Sequence, residues 1–358
     1  MRIRGLQVLG LALAATLLAT GCSGADDTTE PPPPSATEPA PEPEPEPVDM
    51  RPKSTLTGEA VTEDVLARPA VLVKVENSPQ ARPQSGLEAA DVVYEEVVEG
   101  GVTRFFAVFQ TTLPDKVGPV RSARPVDIDL MGTYGKAVFA YSGARAEVQQ
   151  LLAQANTSRI TEGFTGFFRD RQRRAPHNLY LDTQGALTAA ATRDIASPPA
   201  SGWEFDEMAP ARWLSCPPVA PNTTSDCTDP GEAITIRMSR GGYITNWTYD
   251  PTEQVYRRAQ NGTTFTVTGD GRIGAANVVI LATRHYIGPS GYPETEVITS
   301  GAPAVILRDG KRYDATWRKP SRGAPLELLT PSGEPFQLKP GPTWLHLPPS
   351  TQLPDVNE

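Results

Sequence analysis

Short runs of β-branched and aromatic residues, separated by glycine and proline, give the first half of the chain a partly β-structured pattern. Two such runs, at 91–98 and 103–110, flank a glycine pair at 100–101. Because a glycine pair between two apolar runs accommodates a tight turn, this pattern predicts a β-hairpin. Buried strands are also predicted at 70–75 and 136–141, where continuous apolar runs end at turn residues.

Two other segments of this half have helical spacing. Residues 144–155 place their apolar side chains on one helical face, so we predict an amphipathic helix there. A second helix is predicted at 182–193, between residues able to cap its start and a proline beyond its end. Strands and helices mix without regular βαβ alternation, which favours the α+β class, with layers of sheet and helix, for an N-terminal domain over 56–196.

The second half has a different pattern, in which short apolar runs alternate with Gly, Asp and Pro turns. We therefore predict a β-dominated C-terminal domain over 231–348, followed by a tail at 349–358. A connector at 197–230 is rich in Pro, Ser and Asp and contains Cys216 and Cys227. In an exported protein these cysteines are expected to form a disulfide, and two free thiols are the alternative. The clearest strand runs of this half are 234–238, 264–268, 277–281, 305–307 and 343–347.

The start of the chain has the features of a leader. A basic beginning and an apolar run at 6–19, too short to span a bilayer comfortably, predict a signal peptide over 1–21. Its end, Leu18-Ala19-Thr20-Gly21-Cys22, resembles the bacterial lipobox, with Ala where Leu is preferred three places before the cysteine. The resemblance implies that lipid on Cys22 anchors the protein to the cell membrane at its extracytoplasmic face. An ordinary secretory peptide with an incidental cysteine is the alternative.

Net negative charge is concentrated in the segment that follows the leader. Residues 22–50 contain eight acidic and no basic residues, and prolines recur throughout. This composition predicts an extended tether over 22–55. From residue 51 onward, 31 Lys and Arg face 34 Asp and Glu, so the folded body is almost neutral. The net charge of the whole chain, -9, argues against nucleic-acid binding, which usually requires a basic surface.

Several ordered motifs resemble the YerB-like family of bacterial lipoproteins. The resemblance implies a two-part body, with mixed layers followed by a β part, and it implies no activity, because the family is one of unknown function. The motifs are Glu76–Leu87, Ala90–Glu96, Gly101–Phe105, Gly118–Arg124, Ala175–Tyr180, Asn277–Val279 and Pro340–Trp344.

Polar residues within these N-terminal motifs are the candidate ligand-binding set. Arginine presents a planar fork that suits carboxylate and phosphate, and loop motifs with little apolar content suggest a binding surface. The alternative is that these arginines order loops by pairing with Glu76, Asp91, Glu95, Glu96 and Glu99. The candidates are Asn77, Arg82, Arg104, Arg121, Arg124, Arg174, His177 and Asn178.

The sequence supports catalysis more weakly than it supports ligand binding. No nucleophile elbow, Ser-x-x-Lys or His-Glu-x-x-His pattern is present. His177 could act as an acid–base group assisted by Glu95 or Glu96, although a histidine that only orders its loop is the alternative. On one strand, Glu95 and Glu99 would share a face too far apart for a glycosidase pair.

No metal or cofactor is predicted. Asp127, Asp129 and the nearby glutamates could offer hard oxygen ligands to calcium, but they lack EF-hand spacing. The G-x-G-x-x-G string at 269–274 precedes a strand, whereas a dinucleotide site requires a helix there.

Taken together, the sequence favours a non-enzymatic envelope lipoprotein that binds a cell-wall polymer or an envelope protein through Arg, His and Asn loops of the N-terminal domain. One alternative is an enzyme that modifies wall glycan or peptide with His177 as the acid–base group. A second alternative is a solute-binding lipoprotein, although two unequal domains fit that class poorly.

Overall fold

The computed structural model describes residues 49–191, 199–200, 202–208, 231–239, 242–269 and 271–352. These residues belong to one compact unit that begins at Asp49. The predicted signal peptide, the lipidation residue Cys22, the tether up to residue 48 and the Cys216–Cys227 pair lie outside the described residues. Within the described part of the chain, no helix is both long and apolar enough to cross a membrane.

The predicted helices are present in the N-terminal region. Helix α3 buries Val148 and Leu152, as its apolar spacing predicted. Helix α2 was not predicted, because Pro125 at its first turn starts a helix of only seven residues. The helices are α1 (Glu63–Ala67), α2 (Pro125–Met131), α3 (Ala146–Gln154) and α4 (Thr183–Ala191).

The predicted N-terminal strands are also present. The hairpin at 91–110 forms as β2 and β3, which pair antiparallel, with Glu96 opposite Arg104. Gly100 and Gly101 in its connection have φ angles of 72° and 70°, in the left-handed region that favours glycine. The strands are β1 (Val71–Glu76), β2 (Val92–Val97), β3 (Thr103–Phe109), β4 (Val138–Ala140), β5 (Ser158–Ile160), β6 (Phe167–Arg169) and β7 (Leu179–Leu181).

The C-terminal region is dominated by strands, and the fold is α+β as predicted. Between 231 and 347 the described residues contain no α-helix. The strands are β8 (Glu204–Phe205), β9 (Ala233–Arg237), β10 (Ile244–Asp250), β11 (Val255–Gln260), β12 (Thr263–Thr264), β13 (Thr266–Val267), β14 (Gly271–Arg272), β15 (Gly274–Ala275), β16 (Asn277–Leu281), β17 (Arg284–Ile287), β18 (Pro293–Glu296), β19 (Thr299–Arg308), β20 (Lys311–Lys319), β21 (Glu327–Leu329), β22 (Gln337–Leu338) and β23 (Thr343–Leu347).

The central feature is a ten-stranded sheet to which both regions contribute. Its order is β21-β20-β19-β16-β23-β2-β3-β1-β4-β5. The junction between the two regions is the parallel pair of β2 and β23, in which Val92 lies opposite Thr343. On its other side, β23 runs parallel to β16. Strand β23, the last strand among the described residues, therefore joins the sheet halves contributed by the two regions.

Each face of this sheet is covered by a different layer. Side chains alternate along a strand, so Tyr94 and Phe106 point to one face, and Val93 and Phe105 to the other. Residues of α2 and α3 pack on the first face, which we call the helical face. Residues of β9, β10, β11 and α4 pack on the second face, which we call the β face. Burying one large apolar side chain contributes about 1.5–3 kcal/mol, so both layers stabilise the sheet.

Candidate functional site

Charged side chains meet at the end of the central sheet where β1 and β2 finish and β3 begins. In the ladder, Arg104 of β3 lies opposite both Glu96 of β2 and Glu76 of β1. Because these positions share the pleat of Tyr94 and Phe106, all three side chains point to the helical face. The register of three adjacent strands therefore creates a row of carboxylate, guanidinium and carboxylate.

The motif Gly118–Arg124 adds arginines beside this row. Its backbone follows the end of β1: Glu76 N donates to Pro119 O at 2.9 Å, and Arg121 N donates to Lys74 O at 2.8 Å. Strand β4 ends at Ala140 and leaves this part of β1 open to the motif. This pairing of the motif with β1 places Nε of the Arg121 guanidinium 3.5 Å from Glu76 Oε2.

His177 approaches the same carboxylate. Its Nδ1 lies 3.0 and 2.9 Å from the two oxygens of Glu76. Ser78 Oγ donates to Glu76 Oε1 at 2.7 Å. The His177 side chain keeps 24% of its surface exposed, whereas Glu76 keeps 6%. A buried carboxylate thus orients a partly exposed imidazole.

Two more guanidinium groups lie next to Arg121. Arg104 Nη1 donates to Ser122 O at 2.7 Å, and Arg124 Nε donates to Glu99 Oε2 at 3.1 Å. Burial, followed by the charges of Arg124 and Arg121, lowers the pKa of Arg104 to about 10. We refer to Glu76, Arg104, Arg121, Arg124 and His177 as the arginine–histidine cluster.

Beneath this cluster lies a set of fully buried charges, Lys74, Glu96 and Asp127, which we call the lysine triad. Lys74 Nζ is 2.7 Å from Asp127 Oδ1 and also contacts Glu96 Oε1, and all three side chains have no exposed surface. Asp127 Oδ2 accepts the backbone N–H of Arg124, at the start of α2, at 2.7 Å. Burial and the neighbouring Asp127 raise the pKa of Glu96 to about 7, although Lys74 opposes the shift.

A separate network surrounds Glu95 on the β face. Glu95 Oε2 is 2.9 Å from Arg258 Nη2 and 3.0 Å from both Thr245 Oγ1 and His346 Nδ1. Glu95 Oε1 accepts the Thr103 hydroxyl at 2.7 Å. We call Glu95, Thr103, Thr245, Arg258 and His346 the Glu95 network.

Protonation within the Glu95 network follows from its contacts. Burial alone would raise the pKa of Glu95, but the charge of Arg258, aided by His346, outweighs burial and lowers it below its usual range. Trp247 Nε1 donates to His346 Nε2 at 2.9 Å. Because an indole N–H only donates, Nε2 accepts and the proton of the neutral ring is on Nδ1, facing Glu95. Burial lowers the pKa of His346, which keeps this ring neutral.

The remaining predicted ligand residues are dispersed. Asn77 Nδ2 donates to Thr103 Oγ1 at 2.7 Å, so the Asn77 side chain contacts the Glu95 network. Arg82 Nη2 donates to Asn77 O at 3.0 Å. Asn178 Oδ1 accepts Arg169 Nη1 at 2.7 Å, and Arg174 is exposed. The structure thus brings together Arg104, Arg121, Arg124 and His177, but not the other four candidates.

The geometry does not group the predicted catalytic residues. His177 contacts Glu76, whereas neighbouring positions on β2 send Glu95 and Glu96 to opposite faces of the sheet. Glu99 does not share the face of Glu95 either, because β2 ends at Val97 and Glu99 begins a 3₁₀ turn toward Arg124.

The acidic residues considered for calcium are engaged elsewhere. Asp127 pairs with Lys74, and Asp129 Oδ1 accepts Arg322 Nε at 2.7 Å. Among the residues that the structure describes, no group of three or more His, Cys, Asp or Glu side chains is placed to hold a metal ion.

Sequence reasoning missed the partners that neutralise the buried charges. Lys74 could have been recognised, because it interrupts the apolar run Val-Leu-Val-Lys-Val of β1. Arg258 and His346 carry no local signal, since each lies in a strand that is distant in sequence from Glu95.

Comparison with known proteins identifies the family. Residues 56–196 match the model described as "Protein of unknown function (DUF3048) N-terminal domain", and residues 234–345 match the corresponding C-terminal domain. A Bacillus subtilis (strain 168) protein named "Putative lipoprotein YerB" is 28% identical over 315 residues, which cover 86% of this chain and 89% of that protein.

The fold is also similar to a solved structure. The crystal structure of the YerB protein from Bacillus subtilis aligns with a TM-score of 0.70 and 25% sequence identity, over 83% of this chain and 96% of that chain. These matches confirm the resemblance predicted from the motifs. The chain therefore belongs to the DUF3048 family of proteins of unknown function, through both the N-terminal and the C-terminal domain of that family.

Proposed function

We propose that this protein is anchored by lipid on Cys22 to the extracytoplasmic face of the cell membrane and that its arginine–histidine cluster binds an anionic group of a cell-wall component. The leader and lipobox support the anchor, as does the lipoprotein name of the Bacillus relative. The acidic, proline-rich segment would hold the folded body away from the membrane.

The observation that carries the binding proposal is that three arginines lie together and that their carboxylate partners neutralise them only in part. Arg124 pairs with Glu99, and Arg121 lies 3.5 Å from a Glu76 carboxylate that His177 also contacts. Within the described ranges, Arg104 makes no ion pair and donates to a backbone carbonyl. Guanidinium groups that are partly exposed and incompletely neutralised are suited to carboxylate or phosphate ligands.

Binding of wall fragments to the full chain in detergent tests this proposal. We expect muropeptides with free carboxylates to bind, and Arg121→Gln or Arg104→Gln to weaken their binding about 10- to 100-fold, the usual effect of losing a hydrogen bond to a charged group. Arg318→Gln, which removes an exposed arginine paired with Glu327, is the matched control and should bind normally. Unchanged affinity in the cluster variants would reject the proposal, and an envelope protein would then be sought by cross-linking.

The contact between Glu76 and His177 favours a second candidate function, acid–base catalysis on wall peptide or glycan. A carboxylate that holds one imidazole nitrogen leaves the other nitrogen free to move a proton on a substrate. On this hypothesis, Glu76 replaces the Glu95 or Glu96 partner expected from sequence.

Turnover of purified wall material distinguishes catalysis from binding. If His177 is the acid–base group, His177→Ala should abolish product formation and Glu76→Gln should reduce it strongly, because the imidazole loses its orienting partner. Muropeptide binding by His177→Ala, measured alongside, separates the loss of a catalytic group from the loss of binding. Product formed at the same rate by His177→Ala and the unmodified chain would eliminate this candidate.

A further inference from the structure

A second group of polar side chains lies on the β face, beyond the end of β1. Arg82 Cζ is 5.5 Å from the centroid of the Tyr243 ring. Asn77 connects the group: its Nδ2 donates to Gln260 Oε1 at 3.0 Å, and its Oδ1 accepts Gln84 Nε2 at 3.2 Å. We call Arg82, Gln84, Tyr243 and Gln260 the Arg82 cluster. Two of its members come from each of the two family regions.

Several polar atoms of the Arg82 cluster are buried without a hydrogen-bond partner in the described part of the chain. They are three donors, Arg82 Nε, the Tyr243 hydroxyl and Gln260 Nε2, and one acceptor, Gln84 Oε1. Tyr243 is 7% exposed and Gln260 is 2% exposed, so bulk water reaches little of either side chain. Asn77 contacts both Arg82 and Gln260, and Arg82 contacts the Tyr243 ring, so the three donors belong to connected side chains. Folded proteins rarely leave buried donors unpaired, and three of them on connected side chains therefore point to a bound acceptor.

The charges of this region favour a negative ligand. Arg258, whose Nη1 donates to Gln260 Oε1 at 3.0 Å, has Glu95 as its counter-charge at 2.9 Å. Arg82 has no carboxylate within ion-pair distance among the residues described, and its Cζ lies 5.5 Å from the Tyr243 ring centroid and 6.0 Å from that of Phe265. A partly buried guanidinium without a counter-ion attracts an anion more strongly than an exposed one does, because water screens it less.

We propose that Arg82, Tyr243 and Gln260 form a binding site for a small oxyanion, a carboxylate or a phosphate group. The site is separate from the arginine–histidine cluster, which lies on the helical face of the same strand end. Arg82 supplies the charge, whereas the Tyr243 hydroxyl and the Gln260 amide supply neutral donors. Because the side chains come from both family regions, a bound anion would also link those regions.

Calorimetric titration of the full chain in detergent, with inorganic phosphate and with acetate at constant ionic strength, tests this site. The parent is the Arg121→Gln variant, so that anion binding at the arginine–histidine cluster contributes little. We expect saturable binding of at least one anion. Tyr243→Phe should weaken it about tenfold, and Arg82→Gln about 10- to 100-fold, because each removes a hydrogen bond to a charged ligand. The anion that binds more tightly identifies the ligand group as phosphate or carboxylate.

Two controls keep the result interpretable. Tyr286→Phe removes an exposed tyrosine hydroxyl that donates to Glu294, and it should leave anion binding unchanged. Tyr243→Phe deletes one oxygen atom, and circular dichroism and the thermal midpoint would establish that it remains folded. The proposal is overturned if neither anion binds the parent, or if Tyr243→Phe and Arg82→Gln bind as the parent does. Either failure leaves the arginine–histidine cluster untouched, since that cluster is tested by its own variants with muropeptides.

Discussion

Replacing Glu95 by glutamine is expected to lower the free energy of unfolding by about 3–5 kcal/mol. The substitution keeps the size of the side chain but removes the charge that faces Arg258 Nη2 at 2.9 Å. Neither side chain is exposed, so the Arg258 guanidinium would remain buried without a counter-charge. Urea unfolding of the full chain, followed by tryptophan fluorescence, measures the loss.

The control for Glu95→Gln is the same change at an exposed ion pair. Glu162 lies 2.6 Å from Arg169 Nε, with about half of each side chain exposed. Glu162→Gln should lower the free energy of unfolding by about 1 kcal/mol or less. Adding Arg258→Met to Glu95→Gln should recover much of the loss, because no buried charge is then left unpaired. Similar small losses at Glu95 and Glu162 would contradict the expected role of this buried pair.

Lys74→Met is expected to lower the free energy of unfolding by about 3–5 kcal/mol at about pH 8. Lys74 is the cation between the carboxylates of Glu96 and Asp127, and none of the three side chains is exposed. Methionine fills a similar volume but leaves two carboxylates facing each other in a buried space. Urea unfolding midpoints of the full chain at about pH 8 and about pH 5.5 provide the measurement.

The loss caused by Lys74→Met should be smaller at about pH 5.5. Burial and Asp127 raise the pKa of Glu96 from 4.5 to about 7. A carboxyl group with a raised pKa in the folded state stabilises the fold below its unfolded pKa and loses that contribution as the pH rises through its folded pKa. Without Lys74 the pKa of Glu96 rises further, so protonation at the lower pH relieves the repulsion between the carboxylates.

Lys116→Met is the matched control for Lys74. Lys116 Nζ is also 2.7 Å from a carboxylate oxygen, that of Asp170, but 35% of the lysine side chain is exposed. Its replacement should change the free energy of unfolding by about 1 kcal/mol or less at either pH. Equal losses for Lys74→Met at the two pH values would show that the lysine triad does not respond to protonation.

Local patterns in the sequence predicted much of the fold. The glycine pair between two apolar runs gave the hairpin of β2 and β3, and the helical spacing at 144–155 gave α3. These predictions succeeded because hairpins and amphipathic helices depend on residues close in the chain. Strand order depends on distant pairs, and no pattern in the sequence indicated that β23 would lie beside β2.

The candidate site was predicted only in part for the same reason. Arg121, Arg124 and His177 were singled out by their motifs. The pairing of Glu76 with Arg121 agrees with the alternative interpretation, in which these arginines order loops. The partner of Glu95 is separated from it by 163 positions, and nothing near Arg258 in the sequence marks it as that partner. Alternation along β2 could have shown that Glu95 and Glu96 face opposite sides, but it could not show which layer covers each side.

Residues 343–347 constrain the order in which this protein can fold. They pair with β2 on one side and β16 on the other, so Val92 finds its parallel neighbour, Thr343, only near the far end of the chain. Until those residues have been synthesised, β2 and β16 each keep one unpaired edge, and unpaired edges promote association with other chains. Contacts between such distant positions also form slowly. A chain that ends before Thr343 would therefore leave the edges of β2 and β16 unpaired at the centre of its own sheet. We expect such a truncated chain to aggregate.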